Sequence, residues 1–195
     1  YYVPPGGGRG ALYRPALPAP YAEAYGDMVA DVTRDWDATL LFEPGRFIAA
    51  EAGILLTRVL WVKPGARHPF VVVDAAMNDL ARPAMYDAWH EFAAVRPSGE
   101  KFVANIVGPI CETGDTFARE REIDRVQEGD LAMFQTAGAY GASMASTYNC
   151  RAIAPEVLVD GNRYATVSER VAAHNVRKQR LAPWMDDGAP KIRAA

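Results

Sequence analysis

The sequence is poor in cysteine, carries little net charge and has no long apolar run. Its 195 residues include only two cysteines, Cys111 and Cys150, which cannot build a disulfide framework, so a reducing cytoplasm is expected and Cys150 is assigned no role. A net charge of −3 gives no basic field for nucleic acid and no polybasic patch for a membrane. No apolar stretch approaches the roughly 20 residues of a membrane span, and we see no secretory signal. The three histidines are isolated, so no metal site is expected.

Glycine and proline turns divide the chain into short predicted elements. Residues 1–20 are rich in both and are predicted to be loop. Apolar residues at helical spacing predict a helix over residues 21–36, and a second helix is predicted over residues 169–181, before Pro183. Short apolar runs predict strands at residues 39–42, 54–62, 70–73, 101–107, 130–135, 143–148, 156–159 and 163–167, the last two as a hairpin. We therefore expect an α/β region, then a β-rich middle, then a helix.

Two segments carry groups that suit an anionic ligand. The run Gly6-Gly7-Gly8 removes side-chain obstruction, so its backbone amides could approach a phosphate. The segment Glu43-Pro44-Gly45-Arg46 is predicted to be a turn at a strand end, where α/β barrels place functional groups, and its arginine could bind a carboxylate through two hydrogen bonds. The structural alternatives are a flexible turn for the glycines and an ion-paired surface turn for the second segment.

Three further positions offer chemistry that a small substrate could use. Arg82 and Tyr86 lie about one helical turn apart and suit a substrate carboxylate, or else form an amphipathic surface turn. Cys111 and Glu112 lie in a glycine-bounded loop, where the thiol is either a proton donor or nucleophile with a tuned pKa or a small buried hydrophobe. Tyr140 lies between glycines and is either free to stack and donate a hydrogen bond or caps the core of the β-domain.

The order of these motifs along the chain is more specific than any one of them. The five motifs are Gly6-Gly7-Gly8, Glu43-Pro44-Gly45-Arg46, Arg82-Pro83-x-x-Tyr86, Gly108-Pro109-Ile110-Cys111-Glu112-x-Gly114-Asp115 and Gly138-Ala139-Tyr140-Gly141. In this order they resemble the diaminopimelate decarboxylases, which are fold type III pyridoxal-phosphate enzymes. The resemblance implies an α/β plus β fold, with the end of a (β/α)8 barrel at residues 1–50, a β-domain or β-barrel at 51–168, and a C-terminal helix and tail at 169–195.

The resemblance also implies an activity and a set of site residues. The activity is the pyridoxal-phosphate-dependent decarboxylation of meso-2,6-diaminopimelate to L-lysine and CO2, the last step of lysine biosynthesis. The implied cofactor contacts are Gly6, Gly7, Gly8, Glu43, Gly45, Arg46 and Tyr140. The implied contacts to the substrate's distal end are Arg46, Arg82, Tyr86, Glu112 and Tyr140. Cys111 is the implied catalytic proton donor, and Glu43 would keep the pyridine nitrogen protonated.

The resemblance further implies a homodimer with shared active sites, because Cys111 and Glu112 would reach into the partner subunit's site. The family's Schiff-base lysine lies upstream of the glycine run, and the chain begins at Tyr1 without it, so we expect part of a longer enzyme. Two alternatives stay open: an inactive β-domain that only dimerises, or a decarboxylase of another basic amino acid such as ornithine. Relatives that act on ornithine or arginine tend to have Cys-Asp in place of Cys111-Glu112, and the paired Arg46 and Arg82 favour a dicarboxylic substrate.

Overall fold

A computed structural model describes residues 2–3, 22–172 and 175 of the chain. These residues form two compact units, one ending at Ser146 and the other beginning at Thr147. Within the described ranges, no helix has both the length and the apolar character that crossing a membrane would need.

The first unit begins with a small parallel pair of strands. Strand β1, Tyr2–Val3, pairs in parallel with β2, Thr39–Leu40, and helix α1, Ala22–Val32, lies between them in sequence. Parallel strands connected through a helix are the unit that a (β/α) barrel repeats. Helix α2, Gly45–Ala49, follows, and a 3-10 turn, Ala50–Ala52, leads into the sheet.

A six-stranded sheet forms most of the first unit. Its strands are β3, Leu55–Lys63; β4, Phe70–Val73; β5, Phe92–Ala94; β6, Lys101–Val107; β7, Thr116–Asp124; and β8, Leu131–Phe134. Their order in the sheet is β5-β8-β3-β4-β6-β7, and only the β4–β6 pair is parallel. The two outer strands, β5 and β7, approach each other, so the sheet curls until it is nearly closed. The short helix α3, Arg82–Tyr86, lies between β4 and β5 in sequence.

The core of this unit fills the inside of the curled sheet. Alternating side chains point inward from each strand, so on β3 the buried Val59 is flanked by the exposed Arg58 and Leu60. Phe117 of β7 and Phe134 of β8 have ring centroids 4.3 Å apart, which joins strands that lie far apart in the sheet order. The interior is therefore a packed apolar core.

The second unit contains an antiparallel hairpin of β9, Glu156–Asp160, and β10, Arg163–Ser168. Gly161 in the connecting turn has a φ of +61°, a conformation that glycine adopts without steric cost. On either side of the hairpin in sequence, Ile153 and Val171 form an isolated antiparallel bridge.

Most of the predicted elements are confirmed. Helix α1 lies inside the range 21–36, and the strands predicted near residues 39, 54, 70, 101 and 130 exist, as does the 156–167 hairpin. The sheet predicted for the β-domain is confirmed, whereas the boundaries at residues 50 and 168 and the (β/α)8 barrel stay predictions.

Four predictions are wrong. Residues 1–20 are not wholly loop, because Tyr2–Val3 pair with β2. Residues 43–46 do not form a simple turn, because Pro44 caps helix α2 and its carbonyl accepts the Ile48 N–H at 3.1 Å. The strand at 143–148 is replaced by short 3-10 turns, Ala142–Met144 and Tyr148–Cys150. A helix does not begin at residue 169, since Val171 forms the bridge to Ile153; the remainder of the predicted helix, apart from residue 175, lies outside the described residues.

Candidate active site

The Cys111–Glu112 loop is held at its base by one buried carboxylate. Asp115, only 2 % exposed, accepts backbone N–H groups from Met77 at 2.7 Å and Ile110 at 2.8 Å. The Gly108 N–H donates to the Asp115 carbonyl at 2.9 Å, which closes the loop between β6 and β7. A charged acceptor that satisfies buried N–H groups is a strong local constraint.

Gly108 is required by the same arrangement. A Cβ at this position would lie 2.2 Å from a carboxylate oxygen of Asp115, which is closer than any real contact. The tip of the loop is nevertheless open, because both Cys111 and Glu112 are exposed and Cys111 is a free thiol. The Glu112 carboxylate accepts the Gly114 N–H at 3.1 Å. A rigid base therefore presents a thiol and a carboxylate to the outside.

The loop that carries Tyr140 packs backbone against backbone on the segment after α2. The Gly138 N–H donates to the Ala50 carbonyl at 3.0 Å, and the Ala137 N–H donates to the Gly53 carbonyl at 2.8 Å. A Cβ on Gly138 would lie 2.0 Å from the carbonyl oxygen of Ala49, so no larger residue fits. This contact fixes Tyr140 relative to α2, the helix that contains Gly45 and Arg46.

Tyr140 is held in a left-handed backbone conformation, with a φ of +64°, and the residue is 45 % exposed. Non-glycine residues adopt this region rarely, and they are concentrated at functional sites. The Arg82 guanidinium carbon lies 5.7 Å from the centre of the Tyr140 ring, within cation–π range. The structure therefore brings together two of the residues predicted from separate motifs.

Helix α3 supplies both Arg82 and Tyr86. Arg82 is the first residue of the helix and is 8 % exposed, whereas Tyr86 at its end is 61 % exposed. Asp87 ends the helix in the left-handed conformation, with a φ of +50°. The helical spacing predicted for the pair is correct, but only Tyr86 has the exposure of a surface turn, because Arg82 is buried.

A buried histidine lies against Arg82. His90 is 1 % exposed; its Nδ1 is 3.0 Å from the Gln135 carbonyl oxygen, and its Nε2 is 3.5 Å from Nη1 of Arg82. Burial lowers the pKa of His90 and outweighs the hydrogen bond to Gln135, which raises it; the nearby charges of Arg82 and Arg121 lower it further. The ring is therefore neutral at pH 7.

The backbone of His90 is anchored from the opposite strand. Arg121 of β7 is 8 % exposed, and its Nη1 donates to the His90 carbonyl at 2.5 Å. The Arg121 guanidinium also stacks 3.4 Å from the centre of the Trp89 ring. A cavity of about 380 Å³ lies beside this pair, between the end of α3 and β7, and the Cys111–Glu112 loop contributes Thr113 and Gly114 to its wall.

Of the remaining predicted site residues, the structure describes those at positions 43–46 and does not describe the glycines at 6–8. Glu43 and Gly45 are exposed and Arg46 is half-buried; a Cβ on Gly45 would meet nothing within 4 Å, so a ligand could approach its backbone. The glycines at 6–8 lie outside the described residues. No cluster of three or more metal-ligating side chains occurs among the residues that the structure describes.

The described residues fit part of a pyridoxal-phosphate site. An open carboxylate at Glu43, open backbone at Gly45 and an exposed phenol at Tyr140 suit a charged, planar cofactor. The amine for covalent attachment is not in this part of the family pattern, because the four lysines of the sequence all lie downstream of the glycine run. Among the described residues, Glu43, Gly45 and Tyr140 would therefore hold part of such a group.

Sequence reasoning missed His90 and gave Asp115 no role. His90 is isolated from the other histidines in sequence, and its contact to the Gln135 carbonyl depends on β5 pairing with β8. Asp115 had a detectable signal, because an aspartate that ends a glycine-bounded loop often binds the backbone N–H groups of that loop.

Comparison with known proteins supports the resemblance seen in the sequence. The family described as "Pyridoxal-dependent decarboxylase, C-terminal sheet domain" matches residues 26–138. A diaminopimelate decarboxylase from Zymomonas mobilis is 48 % identical over 182 residues, covering 92 % of this chain and 43 % of that protein. The chain therefore spans less than half the length of this curated relative.

Solved structures agree in fold as well as in sequence. A crystal structure from Aquifex aeolicus has a TM-score of 0.84 and 41 % identity, covering 90 % of this chain and 44 % of its own. Diaminopimelate decarboxylase from Helicobacter pylori, complexed with L-lysine, has a TM-score of 0.81 and 35 % identity, covering 90 % and 43 %. The chain belongs to the pyridoxal-dependent decarboxylases, as a member of the family of their C-terminal sheet domains.

Proposed function

We propose that this chain is the C-terminal part of an enzyme that decarboxylates meso-2,6-diaminopimelate to L-lysine and CO2. The observation that carries the proposal is the rigid loop that presents Cys111 and Glu112, together with the Arg82–Tyr140 pair on the same unit. The curated relative from Zymomonas mobilis is named for this activity, which supports the same reading. The enzyme would work in the cytoplasm as part of lysine biosynthesis, consistent with its two free thiols.

The substrate explains why both cationic and anionic groups are needed. Diaminopimelate has two carboxylates and two ammonium groups, and one amino-acid end leaves the reaction unchanged. Arg46 and Arg82 would hold the carboxylate of that distal end, while Tyr86 and Tyr140 would contact the same end through their hydroxyl groups. Glu112 would bind the distal ammonium group. An ornithine-like substrate has no distal carboxylate and would make no use of a second arginine at this end of the site.

Pyridoxal phosphate, when bound, supplies an electron sink for the electrons of the breaking carbon–carbon bond. We infer that Gly6, Gly7, Gly8, Gly45 and Arg46 would hold its phosphate and that Tyr140 would contact its ring. Glu43 would hold a proton on the pyridine nitrogen, which strengthens the sink. Cys111 would then deliver a proton to the carbon that has lost CO2.

The exposure of Cys111 and Glu112 supports a shared site. Both point outward from the end of β6 on a rigid base, so they can reach a neighbouring molecule without rearrangement. We propose a homodimer in which each loop completes the partner subunit's site. In that arrangement the thiol and the arginines of one active site come from different subunits.

Cysteine substitution in a full-length decarboxylase that contains this chain tests the proposal. Cys111→Ala should lower kcat by about 10²- to 10⁴-fold, the usual contribution of a positioned proton donor. Cys150→Ala is the matched control, because it removes the other exposed thiol and should leave the rate unchanged. A Cys111→Ala enzyme with its full rate would remove the proton-donor role. A wild-type enzyme that prefers ornithine to diaminopimelate would overturn the substrate assignment.

A further inference from the structure

The hydrogen-bond partners of His90, the buried histidine beside Arg82, determine which of its ring nitrogens carries the proton. The Gln135 carbonyl can only accept a hydrogen bond, so at 3.0 Å the Nδ1 of His90 must carry the proton. In a neutral ring the other nitrogen, Nε2, then presents a lone pair. A guanidinium can only donate, and Nη1 of Arg82 is the group that faces this lone pair at 3.5 Å.

The donors and acceptors are therefore assigned along the whole series of contacts. Arg82 donates to His90, and His90 donates to the Gln135 carbonyl. The Arg82 guanidinium also lies over the Tyr140 ring. Burial, which lowers the pKa of His90, keeps the ring in the neutral form that this polarity requires. The short contact from Arg121 fixes the backbone of His90, and the hydrogen bond to the Gln135 carbonyl holds the ring in its orientation toward Arg82.

We propose that His90 is a positioning residue that aims the Arg82 guanidinium at the distal carboxylate of the substrate. This inference rests on the proposed function. A neutral imidazole suits the task because it orients a guanidinium without cancelling its charge. A carboxylate in the same place would form an ion pair and compete with the substrate's own carboxylate. His90 would thus affect how well the enzyme recognises an amino-acid end, and would not take part in bond breaking.

The test compares two ligands that differ only in the carboxylate. L-lysine keeps the distal amino-acid end of diaminopimelate, and cadaverine is the same molecule without the carboxylate. In the full-length enzyme, His90→Asn keeps a donor near Gln135 but removes the acceptor that faces Arg82. We expect this variant to raise the inhibition constant of lysine and the KM of diaminopimelate about five- to tenfold, with little change for cadaverine or in kcat.

Two further variants separate positioning from general damage. His90→Gln puts an amide oxygen near the place of Nε2 and should restore most of the affinity for lysine. His68→Asn changes a half-buried histidine outside the site and should have no effect on either inhibitor. Equal weakening of lysine and cadaverine in His90→Asn, or unchanged lysine inhibition, would overturn the proposal. If His90→Asn does not fold, a His90→Gln enzyme that has lost its preference for lysine over cadaverine would overturn it.

A measurement on the unmodified enzyme is independent of any variant's folding. Nitrogen-15 labelling of histidine should show His90 at pH 7 as a neutral ring protonated on Nδ1. A ring protonated on Nε2, or on both nitrogens, would refute the proposal. A wild-type enzyme that does not decarboxylate diaminopimelate would instead refute the proposed function, and the nitrogen-15 result would still report on the His90–Arg82 contact.

Discussion

Asp115 is a buried loop residue whose substitution should destabilise the chain strongly, although it makes no contact with substrate in the mechanism proposed above. Its carboxylate is buried beneath the exposed Cys111–Glu112 tip and accepts two backbone N–H groups. Asp115→Ala would leave both N–H groups without this acceptor. Asp115→Asn would keep one oxygen acceptor but turn an NH2 group toward the other N–H.

The structure gives the expected size of the effect. A hydrogen bond to a charged group contributes about 1.5–3 kcal/mol, so losing two predicts a destabilisation of about 3–6 kcal/mol for Asp115→Ala. Asp115→Asn should lose about half of this, because one bond survives and the other becomes a donor–donor clash. Small domains are stable by only about 5–15 kcal/mol, so the alanine variant would be close to unfolding.

The assay is urea unfolding of the 195-residue chain, with hydrogen exchange measured at the amides of Met77 and Ile110. Both amides should be protected in the wild type and exchange much faster in the variants, since these are the groups that Asp115 binds. Asp130→Asn is the matched control. Its carboxylate accepts one N–H, from Gln127, in an exposed turn, so the change should cost less than about 1 kcal/mol.

The result that refutes this reasoning is an Asp115→Ala chain within about 1 kcal/mol of the wild type, with both amides still protected. That outcome would mean that water or another group replaces the carboxylate at no cost. A loss of stability equal to that of Asp130→Asn would also count against a special role for the buried site.

Three further predictions follow from the described contacts. Gly138→Ala should destabilise the chain by about 2–3 kcal/mol because its Cβ would meet a backbone carbonyl at 2.0 Å, whereas Gly26→Ala, in open space on α1, should be neutral or slightly stabilising in the same denaturation assay. Mixing inactive Cys111→Ala subunits with inactive Arg82→Ala subunits should restore about a quarter of the wild-type activity in a full-length enzyme, and no recovery would exclude shared sites. The pKa of His90 is lowered on folding, so as the pH falls below about 6.5 the unfolded chain takes up a proton before the folded chain does. The free energy of unfolding should therefore decrease below this pH, by at most about 1.4 kcal/mol per pH unit. His90→Asn should remove this contribution to the pH dependence of stability.

The strands that could be predicted are those whose apolar residues stand out from their surroundings. Phe70–Val73 is one such run, and it forms β4 as predicted. Strand β7 was missed because Arg119, Glu120, Arg121 and Glu122 interrupt its apolar pattern. A bulge at Glu120, with a φ of +45° and its N–H bound to Asn105, also shifts the alternation. No local pattern shows such a shift, because it depends on the partner strand.

Motifs in the sequence predict which residue types belong to the site, but they do not predict the contacts between those residues. Order along the chain identified the family, and the Arg82–Tyr140 contact is consistent with the grouping it implied. The sequence could not show that Arg82 is buried against His90. The His90 ring is held by the Gln135 carbonyl, and the pairing of β5 with β8 brings that carbonyl alongside it. Buried polar partners of functional residues are set by tertiary pairing, which spacing along a chain does not encode.

The glycine contact beneath Tyr140 has a consequence for redesigning substrate preference. Gly138 meets the segment after α2 with no side chain between the two backbones. The distance between Tyr140 and α2 therefore cannot be adjusted by exchanging one side chain for a larger or smaller one. Variants with altered substrate length should instead arise at positions such as Tyr86, whose exposed side chain is free to change size. The spacing set by Gly138 and Tyr140 would therefore stay constant among variants, whereas the side chain at position 86 could vary with the length of the substrate.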